Sequence, residues 1–287
     1  MSGRRGVVGI ASVRKLVSGG NIDMVAITGG LPSSAPGPEE RFFRNGAVIM
    51  ALIVAAGFST NLIMGRSTFA SPPLIHAHAL VFMGWVAIYL TQNFLVASGN
   101  IALHRRLGWI AAGWVVLMVA MGCAVTAFDV RAAHIPFFFK PLQFLVFDPV
   151  TVFTFAGLTA AAIALRRQTD WHRRLHFSGM ALLLGPAFGR LLPMPLLAPW
   201  AWEVDSAVCL LVLLIAIALD ARRTRRVHPA WLWGVAAIVL TVPVTEAITY
   251  SPAGLSLYKA VAAGSKGATV APLELGKPPS PPPATGR

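Results

Sequence analysis

Charge is scarce in this sequence. Only 12% of the residues are charged and 56% are hydrophobic, whereas a soluble domain carries about 25% charged residues. So few charges cannot cover a water-soluble surface for a chain of 287 residues. Acids are the scarcer sign, 11 against 24 Lys and Arg, and the net charge is +13. In a soluble protein that excess raises nucleic-acid binding. Here the basic residues cluster between apolar runs, the pattern that orients a membrane protein. The expected partner is therefore a lipid bilayer and not nucleic acid. Cysteine is nearly absent as well. Cys123 and Cys209 both fall inside apolar runs, where thiols behave as small hydrophobes, so a disulfide scaffold is excluded. Also missing are a nucleotide-binding Gly-rich loop, His-Glu-x-x-His and Gly-x-Ser-x-Gly. Whether the chain is an enzyme stays open.

What is present is a series of seven apolar runs, at about 44–64, 74–96, 107–127, 145–165, 175–192, 204–220 and 230–250. Each is close to the roughly 20 residues that cross a bilayer as a helix. In hydrocarbon every backbone N–H and C=O must pair internally, which makes helices the default. The runs do not alternate as the strands of a membrane barrel would. The predicted fold is an all-α polytopic transmembrane bundle over 42–250. A flexible leader precedes it (1–41, with Met24 as an alternative start), and a Pro-rich extended tail follows (251–287). Gly185-Pro186 in the fifth run and Pro243 with Glu246 in the seventh make these the weakest spans, because proline removes one helical hydrogen bond; six spans is the alternative.

Orientation follows from Lys and Arg. With the N-terminus inside, the inner loops hold Arg105, Arg106, Arg166, Arg167, Arg173, Arg174, Arg222, Arg223, Arg225 and Arg226. The outer loops hold Arg66, Arg131 and Lys140. Ten against three places the N-terminus inside a bacterial inner (plasma) membrane and, with seven spans, the C-terminus outside. His-Arg-Arg-Leu at 104–107 recurs at 172–175, an offset of 68 residues. The same offset aligns Pro73 with Pro141. Spans two–three and four–five therefore read as two copies of one hairpin, against the alternative that basic inner loops resemble each other by necessity.

The seven histidines separate into layers. His104, His172 and His176 lie at one predicted inner depth. His172 and His176, four apart, share a helix face. Such a set suits axial ligation of haem iron or a zinc site. His76 and His78 lie at the outer end of span two, two residues apart and hence on different faces, with His134 in the next outer loop. Gln143, Asp148, Arg190, Glu203 and Asp205 are expected at similar depth. Ionisable groups inside spans are costly and are functional candidates by default. Gln143, Asp148, Arg190 and Asp205 are the candidate lining of an outer polar cavity, with Asp148 paired to Arg190. Gln92 and Asn93 are expected to hydrogen-bond between helices. Trp109, Trp171, Trp200, Trp202, Trp231 and Trp233 are expected to form an interfacial aromatic belt.

The sequence His76-Ala77-His78, Trp85, Gln92, His104-Arg105-Arg106-Leu107-Gly108, Trp171-His172-Arg173-Arg174-Leu175 and Arg190 resembles a pattern in uncharacterised bacterial multi-pass membrane proteins, over about residues 42–192. That likeness carries no activity. The chain is also loosely similar to cytochrome b561-like bundles, which hold haem b between histidines of neighbouring helices in two layers. The resemblance implies a redox protein with haem held by histidines among His76, His78, His104, His172 and His176. The chain departs from it on the outer side, where spans three to five carry no histidine and His134 or another group would have to complete the pair. Two alternatives stand beside it. One is a transporter or small-ligand sensor using the outer cavity. The other is a metal-dependent hydrolase combining a histidine layer with Asp148 or Asp170.

Overall fold

The computed structural model describes residues 16–18, 21–23 and 35–278. Most of the leader expected over 1–41, and residues 279–287 of the tail, lie outside the described residues. Leu16–Ser18 and Asn21–Asp23 pair as a short antiparallel ribbon, β1 and β2. From Pro38 onward the elements are helical: α1 (Pro38–Ile63), α2 (Pro73–Ala97), α3 (Ile101–Ala132), α4 (Pro141–Ala164), α5 (Thr169–Leu182), α6 (Gly185–Leu191), α7 (Ala201–Thr224), α8 (Pro229–Thr249) and α9 (Pro252–Ala262). Six of them, α1–α4, α7 and α8, are long and apolar enough to cross a membrane.

The helix starts are written locally. Proline opens α1, α2, α4, α8 and α9, where its missing N–H costs nothing and its fixed φ suits the first turn. Asn100 caps α3 by accepting from the Leu103 N–H at 3.2 Å. His228 Nδ1 accepts from the Ala230 N–H at 3.1 Å and caps α8. Burial first, and then the charge of Arg174, hold His228 below its ordinary pKa, which keeps that nitrogen free to accept. Gly99, at φ +76°, makes the left-handed turn out of α2 that a side chain would disfavour.

The outside of the bundle is apolar. Leu52, Leu80, Val116, Phe153, Leu211 and Leu232 are all more than half exposed, as suits a lipid-facing surface. Inside, small residues let helices approach, the rule for packing in lipid. A Cβ on Gly57 would stand 2.5 Å from the Ala187 carbonyl oxygen, and one on Gly46 would stand 2.5 Å from the Phe177 ring. Trp114 of α3 donates from Nε1 to the Val81 carbonyl of α2 at 2.8 Å.

Two segments and two tryptophans differ from the sequence expectation. The fifth run is two short helices and not one. Pro186 has no N–H for the Leu182 carbonyl, and the chain breaks between Leu182 and Gly185. Pro243, by contrast, stays inside a continuous α8. Residues 252–262, expected as the start of an extended tail, form α9. Tyr258 and Ala262 are buried against Val130 and Leu142, and the Leu142 N–H donates to the Pro272 carbonyl at 2.8 Å. Gly254, Tyr258 and Ala262, four residues apart, form the buried face of this helix. Trp231 and Trp202 are not belt residues. They are 0% and 3% exposed because each packs inward, Trp231 against Phe177 and Trp202 on Phe147.

One end of the bundle is closed by an ion network that joins α1, α5, α7 and α8. Asp220 is fully buried. It accepts from Arg174 Nε at 2.9 Å, from Trp231 Nε1 at 2.8 Å and from Arg223. Glu39 pairs with Arg173 at 3.2 Å and with Arg174 and Arg223 at 3.4 Å each. Asp170 pairs with Arg173 at 3.1 Å and Arg174 at 3.4 Å. Three acids face three arginines. Removing one partner of a buried pair strands the other charge, which costs about 3–5 kcal/mol. Arg174→Ala is therefore expected to destabilise the folded protein by about that amount, read as a lowered midpoint of unfolding in detergent. Arg222→Ala, outside the network, should leave the midpoint within about 0.5 kcal/mol of the parent.

Candidate functional site

Two polar constellations lie inside the bundle, toward opposite ends of α5–α6. The first surrounds Arg190 at the end of α6. The Arg190 guanidinium lies over the Phe58 ring of α1 at 4.1 Å and donates from Nη1 to the Pro186 carbonyl at 2.6 Å. Asp148 of α4 and His78 of α2 lie within its electrostatic reach, and Asp205 of α7 lies within reach of Asp148. Asp148 also faces Asp129 of α3 and accepts a long 3.5 Å hydrogen bond from Thr126. His78 stacks on Phe82 at 4.4 Å.

This group is polar but incompletely satisfied. His78 Nδ1, Arg190 Nε and Asp205 Oδ1 are buried and have no hydrogen-bond partner among the described residues. Asp148 and Arg190, expected as a pair, form no ion pair. The guanidinium is held instead by its own helix and by Phe58. The break between α5 and α6 shapes the same place. A Cβ on Gly185 would stand 2.7 Å from Asp205 Oδ2, so the carboxylate occupies the space that the missing side chain leaves.

Gln143, expected to line this cavity, does not. It is 2% exposed and donates from Nε2 to Glu246 Oε1 of α8 at 2.7 Å. Five residues separate Gln143 from Asp148, which turns them to different sides of α4. Glu203 belongs with Glu246 and Lys140 on that second side. Of the outer histidines only His78 turns inward. His76 Nε2 donates to the Phe69 carbonyl at 3.1 Å and ties the α1–α2 loop. His134 lies beside Phe128 at a ring distance of 6.5 Å, away from the Arg190 group.

The second constellation is the histidine layer, and the structure brings its members together. His104 and His172 are 6.2 Å apart between ring centres, and His172 and His176 are 4.7 Å apart. His104 and His172 are equivalent positions under the 68-residue offset. The Ala162 carbonyl can only accept, so His172 Nδ1, 2.8 Å away, carries a proton and Nε2 keeps its lone pair. His104 Nδ1 and Gln92 Oε1 are buried without a hydrogen-bond partner among the described residues. Asn93 bonds within its own helix, to the Tyr89 carbonyl at 2.9 Å, and not across helices as expected. Among the described residues no group of three or more His, Cys, Asp or Glu has metal-holding geometry.

Sequence reasoning missed the Asp220 network. Arg173, Arg174 and Arg223 counted only as loop charges that set orientation, and Glu39 and Asp220 were not singled out. The available signal was Asp220 itself, a lone acid closing the apolar run 207–219.

No protein-family model, curated protein or solved structure matches the chain.

Proposed function

We propose that the chain is a seven-crossing inner-membrane protein that binds and moves a small polar solute at the Arg190–Asp148–Asp205–His78 group. The crossing added to the six long helices is the broken α5–α6 pair, the fifth in chain order. Its first end lies beside Asp220 at the end of α7, and its last residues lie near Asp148 and Asp205 at the opposite end. The Arg-rich loops then face the cytoplasm and the chain after α8 faces outward, as the positive-inside bias directs. A reporter active only in the cytoplasm, fused after residue 226, should be active, and one fused after residue 251 should be silent. Silence after residue 226 with activity after residue 251 would leave the six crossings α1–α4, α7 and α8.

The observation that carries the transport reading is the discontinuous helix beside buried, unfilled polar atoms from three elements, α2, α6 and α7. Helix breaks in membrane proteins place backbone groups and ionisable side chains at solute and ion sites near the middle of the bilayer. Carboxylates outnumber cations here. Asp148 and Asp205, with Asp129 behind them, face one guanidinium. In low dielectric a buried charge that lacks a partner is neutralised by a proton or a ligand. A solute with an ammonium group for the carboxylates and a carboxylate for Arg190 completes the set, so a small zwitterion is the class that fits. Purified protein should gain thermal stability from glycine or glycine betaine and not from a neutral diol. Arg190→Gln and Asp205→Asn should each abolish that gain and the matching proteoliposome uptake, by tenfold or more if each removes at least about 1.4 kcal/mol of binding. Uptake and stabilisation unchanged in both variants would end this reading.

A second reading rests on the histidine layer. Its observation is the 2.8 Å approach of His172 Nδ1 to the Ala162 carbonyl, which assigns the proton to Nδ1 and leaves Nε2 as the ligand atom, as in metal-bound histidine. His172 and His104 would hold a b-type haem, with His176 beside them. When bound, haem supplies one-electron redox chemistry. Protein from haem-replete cells should then show a Soret band that is lost in His172→Ala and His104→Ala. A colourless, iron-free preparation would exclude it.

A further inference from the structure

We propose that a third polar site, at the end of α3 where the C-terminal segment docks, binds the phosphate of an anionic phosphate ester. A cavity of about 380 Å³ opens there, lined by Phe128, Arg131, Ala132, His134 and Lys266. Its three basic groups come from separate segments: the last turn of α3, the loop before α4, and the chain beyond α9. No carboxylate lines the cavity, and none of the three groups forms an ion pair among the described residues. Asp129, within reach of His134, also faces Asp148.

The site is built by the fold and is not a chance meeting of surface lysines. Arg131 donates from Nη1 to the Val261 carbonyl at 2.7 Å and the Ala263 carbonyl at 3.1 Å. These bonds fix the guanidinium at the cavity edge while its other N–H groups stay available. Tyr258 donates to the Gly267 carbonyl at 3.0 Å, and Gly267 is buried against the Val130–Arg131 backbone. Lys266 is thereby held over the end of α3. A guanidinium, an ammonium and an imidazole around one opening supply the donors that phosphate oxygens accept. The cavity is far larger than a single phosphate, which leaves room for the esterified group. Its position also selects the ligand. α3 is a membrane-crossing helix ending at Ala132, so the cavity sits at the depth of headgroups. Lys and Arg side chains at that depth are attracted to anionic headgroups.

Two sources share this chemistry, a lipid headgroup and a soluble phosphate ester. The test uses the full chain and compares wild type with Lys266→Gln plus His134→Gln. Lys266 is exposed, and neither residue carries the contacts that dock α9, so both proteins should melt alike in phosphatidylcholine nanodiscs. Phosphatidylglycerol nanodiscs should stabilise wild type, with retention of one lipid through detergent washing. The double variant should bind it about tenfold more weakly, a loss of about 1.4 kcal/mol. Lys266→Arg should retain binding. In the second arm, inorganic phosphate and glycerol phosphate are titrated into detergent-solubilised protein. Stabilisation there, lost in the double variant and absent with phosphatidylglycerol, assigns a soluble ester. If neither anionic lipid nor phosphate gives an effect that the double variant loses, the proposal is overturned.

Discussion

The buried ion pair between Arg174 and Asp220 is the constraint around which the rest of the bundle is arranged. A carboxylate with no exposed surface is tolerable in an apolar interior only when its oxygens are filled by charged or polar donors. Arg174, Arg223 and Trp231 fill them, and Glu39 draws the start of α1 onto the same arginines. Four helices are thus locked in rotation and depth at one end. Because Arg174 sits between His172 and His176 on α5, fixing it also aims those imidazoles toward His104 of α3. The network and the histidine layer thus occupy opposite sides of one helix, α5.

The opposite end follows the reverse logic. There one arginine faces several acids without a direct ion pair, and three buried polar atoms have no partner. Satisfied polar networks rigidify a fold, whereas unsatisfied ones raise its free energy until something fills them. The bundle thus has a balanced, closed network at one end and unfilled polar groups at the other. The apolar surface between them gives neither end another way to neutralise its charge.

Depth along the membrane was legible in the sequence, and direction around each helix was not. The apolar runs, the opening prolines and the break at Gly185-Pro186 are local properties, and each run appears as a helix or a broken helix close to its expected bounds. The common depth of His104, His172 and His176 was legible for the same reason. Which face of a helix meets which neighbour depends on packing among all of them. Hence Arg173 and Arg174 look alike in sequence, yet Arg174 is buried and Arg173 lies at the rim. Gln143 turned to Glu246 and left the Asp148 side. Trp231 looked like its neighbour Trp233, yet it is fully buried while Trp233 is 65% exposed.

The dipeptide Gly185-Pro186 connects these two halves physically. Proline withholds the N–H that the Leu182 carbonyl would have accepted, so the helix stops. Glycine leaves the volume that the Asp205 carboxylate enters; any side chain there would displace the acid from the site. Past the break, Ala187 lies against Gly57 and the Arg190 guanidinium rests over Phe58, so α6 is seated on α1 and not on the continuation of α5. One residue pair therefore ends the segment anchored by Asp220 and admits a carboxylate to the gap. It also hands the remaining turn, with its arginine, to a different neighbour. A continuous helix through this point would carry Arg190 on the rotation dictated by Arg174. The break frees its position from that constraint, which is why the charged group at this end can be set by α1, α2, α4 and α7.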